Sequence, residues 1–176
     1  MLFRSIKGLR WSFAHVRQLR VSDMERMRKL GMAALVHSQA TISGAILQRI
    51  HGEGAMDQPP VRTVQDSGIQ WGLGSDSNGA APSNPFITLW WAVTGKMLGG
   101  KPVLRQTITR EQALIAHTRN NAYFVFREGD IGTLQQGKYA DLLVLDRDYL
   151  TVPADQIKDI APVITMVGGK IVYEKK

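Results

Sequence analysis

The chain contains no cysteine. Disulfides, thiolate zinc sites and cysteine nucleophiles are therefore excluded, and any metal site must be built from nitrogen and oxygen donors. Four histidines, His15, His37, His51 and His117, are available for this, together with the carboxylates. No run of eighteen apolar residues occurs, so the sequence offers no membrane-spanning helix. Internal repeats and low-complexity segments are also missing. Acidic residues are absent from the first twenty positions, and this asymmetry governs the net charge of +7. Residues 1–30 hold eight Lys/Arg against two Asp/Glu, whereas the remainder holds fourteen against thirteen. The body is nearly neutral. An even basic face interleaved with aromatics, as a nucleic-acid binder requires, is not apparent.

What is present is a globular composition, 44% apolar over 176 residues, enough for one domain or one domain with a small appendage. At the basic end, Leu2, Ile6, Leu9, Phe13 and Val16 recur at helical spacing. A cationic amphipathic start of this kind fits a transit peptide, a surface-binding helix, or an ordinary helix followed by a strand. The last is preferred, because residues 9–15 also read as a strand. Ser22-Asp-Met-Glu25 has the form of a capping box and predicts a helix through Met24, Met27 and Leu30, stopped by Gly31. Residues 32–37 follow as a short buried strand, so strand, helix and strand alternate as in a parallel sheet. Residues 38–60, with an apolar stretch from Ile42 to Ile50, make a long connection of the kind that often serves function. A helical turn over 61–66 precedes a strand at 69–74.

Asn84-Pro85 predicts a capped helix carrying Phe86, Leu89, Trp90, Val93 and Met97 and ending at Gly99-Gly100. The Trp90-Trp91 pair reads as core packing. Thr109-Arg-Glu-Gln112 is a second capping box, starting a helix to about Arg119. From Gly129 the pattern changes to period two, and Gly168-Gly169 suits a hairpin turn. A boundary is placed near residue 128.

The segment Gly72-Leu-Gly-Ser-Asp76-Ser stands out. Gly72 and Gly74 interrupt a strand-like run, which points to something approaching the backbone closely. Asp76 follows at the strand's C-terminal end, where α/β barrels place catalytic groups. The competing reading is a plain turn in which Asp76 bonds its own backbone.

Taken in order, several motifs resemble the amidohydrolase superfamily, specifically the YtcJ-like amidohydrolase family 3. Arg10-Trp-Ser-Phe-Ala-His15 is similar to that family's sixth barrel strand and Gly72-Leu-Gly-Ser-Asp76-Ser to its eighth. Thr107-Ile-Thr-Arg-Glu-Gln and Thr118-Arg-Asn-Asn-Ala122 resemble the helices after the barrel. The pattern Gly132-Thr-Leu-Gln-Gln-Gly-Lys-Tyr-Ala-Asp-Leu142 and the segment Thr165-Met-Val-Gly-Gly-Lys-Ile-Val-Tyr173 resemble its C-terminal β module. The resemblance covers almost the whole chain, but only about the last third of such an enzyme.

That resemblance implies an α/β fold. Residues 1–128 would form the C-terminal part of a metal-dependent (β/α)8 barrel, about its last three strands, and residues 129–176 a small β-sandwich module. It implies a metal-dependent hydrolase of carbon–nitrogen, non-peptide bonds, with a divalent metal, usually zinc, lowering the pKa of the attacking water. By resemblance His15 is a metal ligand. Asp76 both touches the metal and carries the proton from water to leaving group. His37 ends the strand between them and is a candidate substrate contact. His51 lies in the long loop with Glu53, and His117 reads as structural.

One departure bears on all of this. The family's His-x-His pair is absent, and so are the strands carrying the bridging lysine and the fifth-strand histidine. A catalytic zinc site has three protein ligands plus water, and this chain offers two. The expectation is a C-terminal fragment, inactive alone, whose basic start is an internal one and not a targeting peptide. Its partners would be a small-molecule amide or related substrate and either the missing N-terminal part or further copies of itself, with no nucleic acid and no membrane. The cytoplasm is the expected location. A non-catalytic scaffold or interaction module is the alternative, and binding to an anionic surface through residues 1–30 is a third reading.

Overall fold

The computed structural model describes residues 6–77 and 79–176. Strand β1 (Ser12–Val16), helix α1 (Val21–Leu30), strand β2 (Ala33–His37), helix α2 (Ala40–His51), helix α3 (Val61–Asp66) and strand β3 (Trp71–Gly74) come first. The three strands form one parallel sheet in the order β1-β2-β3. Helices α4 (Pro85–Thr94), α5 (Arg110–His117) and α6 (Arg119–Phe124) follow. Strands β4 (Leu142–Leu145), β5 (Pro162–Val167) and β6 (Lys170–Glu174) close the chain as an antiparallel sheet in sequential order. The molecule is α/β, as its alternating pattern predicts.

The helical spacing read from Leu2 onward begins outside the described residues. Residues 6–11 form a turn leading into β1. Helix α1 ends at Gly31 as expected, in the left-handed region at φ 69°. Its capping box does not form. The helix starts earlier, with Arg20 as the N-cap and no side-chain cap bond. The amides of Asp23 and Met24 both bond the Arg20 carbonyl, so Ser22 is already inside the first turn. Asp23 instead pairs with the Arg20 guanidinium at 2.8 Å, an acid favourably placed at a helix N-terminus. Residues 40–51, read as part of a long connection, are helix α2, followed by a 3-10 turn over Gly52–Asp57.

Helix α4 is capped as its sequence predicts, with Asn84 Oδ1 accepting from the Phe86 amide at 2.9 Å. It ends at Gly95 and not at Gly99-Gly100. Gly95 has φ 69°, and a Cβ there would lie 2.1 Å from the Leu104 carbonyl oxygen. The chain turns back at once, and the amides of Val103 and Leu104 both bond the Gly95 carbonyl. Met97 therefore belongs to the returning segment. The Thr109 capping box forms in both directions, but α5 breaks at Thr118 before α6 begins.

Trp90 and Trp91 are buried, as read from the sequence. They share one core with Val36, Leu73, Met27 and Val64. Tyr149, Val152, Ile157 and Ile160, from the segment between β4 and β5, join the same core. In the β5–β6 hairpin Gly168 and Gly169 have φ 56° and 79°, the two positive values that a type I′ turn needs. Arg10 ties the start of β1 to the segment after α6. Its guanidinium lies over the rings of Tyr123 and Phe126, donates to the Tyr123 carbonyl at 2.8 Å, and pairs with both carboxylate oxygens of Glu128.

Candidate active site

The C-terminal ends of three adjacent parallel strands bring His15, His37 and Asp76 together. His15 lies near the end of β1, His37 ends β2, and Asp76 follows β3 by two residues. The ends of β2 and β3 are locked in register, with His37 opposite Gly74 and the Ser38 amide donating to the Gly74 carbonyl at 3.0 Å. Buried Ser38 and Thr88 share a 2.9 Å hydroxyl contact, and the Thr41 hydroxyl donates to the Ser38 carbonyl at 2.7 Å. These bonds anchor the beginning of α2 beside the site.

His15 is aimed by an irregularity in its strand. The β1–β2 register slips by one residue between Phe13 and Val16, and His15 has φ 54°. A bulge of this kind redirects a side chain at a sheet edge. Asp76 also sits in the left-handed region, at φ 55°, which aspartate tolerates better than most residues. Backbone strain of about 1–3 kcal/mol at such positions persists where the surroundings fix it, and it clusters at functional sites.

The result is a separation of 3.4 Å between His15 Nε2 and Asp76 Oδ1. That exceeds the usual N–H···O range of about 2.7–3.2 Å. It equals the edge of about 3.4 Å spanned by two donors on one tetrahedral zinc, given Zn–N and Zn–O lengths of about 2.0–2.2 Å. Both side chains are about half exposed and open to a ligand. The pair therefore fits two positions of a zinc site. Among the described residues, no group of three or more His, Asp or Glu side chains is arranged to hold a metal ion.

His37 differs from its two neighbours in being buried. Its ring stacks on that of His15 with centroids 5.6 Å apart, and its Nδ1 has no hydrogen-bond partner. Burial lowers its pKa, so the ring is held neutral. His117, at the end of α5, is also kept below the usual histidine range by burial. His51 ends α2 and lines a neighbouring cavity.

The glycines of β3 behave differently from one another. A Cβ on Gly72 would lie 2.1 Å from Asn121 Oδ1, while Gly74 has nothing within 4 Å. Asn121 from α6 donates to the Leu73 carbonyl at 2.9 Å and to the His117 carbonyl at 3.1 Å. The close approach read from the sequence therefore occurs at Gly72 and is made by a half-buried asparagine supporting the strand. At Gly74 it does not occur, because the strand end faces open space.

The cavity beside His37 was not legible in the sequence. It holds about 600 Å³ and is lined by Arg17, Gln39 and Gln58 among others. The only sequence signal was that Arg17 and Gln39 each come two residues after a strand-end histidine. A smaller hollow of about 430 Å³ lies between β1 and α1, with Phe13, Met27, Leu30 and Met32 in its lining.

Residues 5–173 match the amidohydrolase family. The chain belongs to that family. One relative, an N-substituted formamide deformylase from Arthrobacter pascens, is 32% identical over 117 residues, covering 66% of this chain and 21% of that protein. A 5-methylthioadenosine/S-adenosylhomocysteine deaminase from Symbiobacterium thermophilum is 33% identical over 134 residues, covering 68% of this chain and 30% of that one. This amidohydrolase chain thus spans less than a third of the length of either curated relative. The crystal structure of an adenosine deaminase from Xanthomonas campestris with bound zinc superimposes with a TM-score of 0.66 at 17% identity, covering 93% of this chain and 37% of that one. At that identity the likeness speaks for the amidohydrolase fold alone.

Proposed function

We propose that this chain contributes the C-terminal strands and the proton-carrying carboxylate of a metal-dependent hydrolase acting on carbon–nitrogen bonds other than peptides. The observation that carries the reading is the 3.4 Å separation of His15 Nε2 and Asp76 Oδ1 at adjoining strand ends. Residues 1–128 are read as the last three strands and helices of a (β/α)8 barrel, and residues 129–176 as its β-sandwich module. Zinc is the favoured metal, since His nitrogen and Asp oxygen are its ordinary donors and their spacing matches one tetrahedral edge. When bound, it supplies Lewis-acid activation of water and of the scissile group.

His15 and Asp76 would hold the metal. Asp76 Oδ takes the proton from the attacking water and returns it to the leaving nitrogen, as a general base and then a general acid. Its half-exposed position at a strand end leaves room for both events. His37 stacks under His15, limits its ring orientation and faces the substrate side. The remaining metal ligands come from further polypeptide or from a second copy of this chain, because the described residues offer only this pair. Alone, the chain is inactive and binds zinc weakly. The substrate is a small molecule with an amide-type bond, a class consistent with the formamide named for one relative.

The test is zinc uptake by the purified chain, read by metal analysis alongside its solution mass, for wild type, His15→Ala and Asp76→Ala. Weak uptake that falls in both variants supports the shared site. Uptake unaffected by either substitution sinks it.

A further inference from the structure

The cavity adjoining His37 has one sign of charge. Its lining includes Arg17, Arg20, His37, Gln39, His51 and Gln58, and no Asp or Glu is among the described residues that form it. Arg20 is already engaged by Asp23 at 2.8 Å. Among the described residues the Arg17 guanidinium has no carboxylate partner, and it lines the same cavity as His37. The N-terminus of the twelve-residue helix α2 opens on the same space through Gln39 and Ala40, and no side chain caps it. Such a terminus carries a partial positive charge suited to an anion.

A second set of observations points to an absent occupant. His37 Nδ1, Gln39 Oε1 and Gln58 Oε1 are buried polar atoms without a hydrogen-bond partner. All three belong to residues lining this one cavity. Buried polar groups are nearly always paired, so a cluster of unpaired ones marks a wall that awaits a ligand. The 3-10 turn carrying this wall is held in place from outside. Arg105 pairs with Glu53 at 2.6 Å and with Asp57 at 3.0 Å, and its amide donates to the Met56 carbonyl at 2.8 Å.

We infer that this cavity is an anion-binding subsite, in which Arg17, His37 and the N-terminus of α2 hold a carboxylate or phosphate group of the substrate next to His15 and Asp76. The guanidinium supplies the full charge and its hydrogen-bonding fork, and the helix end supplies amide dipoles. The carboxamides of Gln39 and Gln58 present their acceptor oxygens here, so they donate to the anion only when rotated to turn Nε2 inward. The substrate would then be an anionic small molecule whose scissile carbon–nitrogen bond lies within one side-chain length of its charged end. The link to catalysis rests on the proposed role of His15 and Asp76, whereas the cavity itself does not.

The experiment titrates the purified chain with propionate and, separately, with inorganic phosphate at constant ionic strength, following the histidine ring resonances. It compares wild type with Arg17→Gln and with Arg28→Gln, an exposed cation on α1 outside the cavity. A saturable shift at His37 is expected, weakened by about tenfold or more in Arg17→Gln, the scale of one charged hydrogen bond, and unchanged in Arg28→Gln. The stronger of the two anions identifies the substrate as a carboxylate or a phosphate. Equal weakening in both variants, or no saturable shift, overturns the subsite. Anion binding without His15-dependent zinc uptake supports the cavity and overturns the catalytic reading. Zinc uptake without anion binding overturns the cavity alone.

Discussion

At the scale of single residues, positions of the same chemical type carry different structural demands. Gly72 and Gly74 look alike in the sequence, two positions apart on one strand. Asn121, Phe124 and Leu35 crowd the first, and nothing crowds the second. Gly72→Ala must displace the half-buried asparagine that supports the strand, and overpacking of this sort costs about 1–3 kcal/mol. Gly74→Ala should change stability by no more than about 0.5 kcal/mol. Urea midpoints of the two variants measure the contrast, and equal losses would show that Asn121 yields without cost. The same scale shows what sequence reading misses. The positions of His15 and Asp76 were readable from their motifs, but the left-handed backbone that turns the two side chains toward each other was not. No glycine marks either position, and although Asp and His enter the left-handed region more readily than most residues, they do so too rarely for the sequence to single these two out.

At the scale of elements, local signals proved reliable where one side chain reaches two or three residues along the chain. Asn84 and Thr109 cap their helices as read, because each cap needs only its own neighbours. Ser22 matches the same pattern and makes no cap, since the hydrogen-bond ladder of α1 already begins at the Arg20 carbonyl. Thr109→Ala should therefore cost about 1 kcal/mol. Ser22→Ala should be close to neutral, and thermal unfolding of the two variants checks the difference. Helix α4 teaches a related lesson. Met97 extended an apolar pattern past Gly95, but the return of residues 103–104 onto the Gly95 carbonyl ends the helix first. A helix end of that kind is set by a distant segment and leaves no local mark. The cavity beside His37 has the same character, because its walls come from three separated connections.

At the scale of the whole molecule, acid should loosen the fold in two stages. Burial holds His37 and His117 below the usual histidine value of 6.5. The unfolded chain therefore binds protons first, and stability falls as pH drops through that value. The second stage belongs to Glu128. Hydrogen bonding from Arg10 holds its carboxyl at about 2, down from 4.5. Its contribution is complete above pH 4.5 and disappears as pH falls toward 2, the sign expected for a depressed acid. Glu128→Gln should keep the first stage and lose the second, so that its urea midpoint converges with wild type near the low end. A mutant curve parallel to wild type throughout would show that the pairing with Arg10 contributes nothing to folding. The parallel order of β1, β2 and β3 has a different consequence. β1 and β3 are not neighbours, and two strand spacings of about 4.8 Å each separate them. His15 and Asp76 meet only by reaching across the end of β2, where His37 stands. The middle strand thus acts as a ruler, and the size of the residue at position 37 calibrates the gap between two donors that it never needs to join.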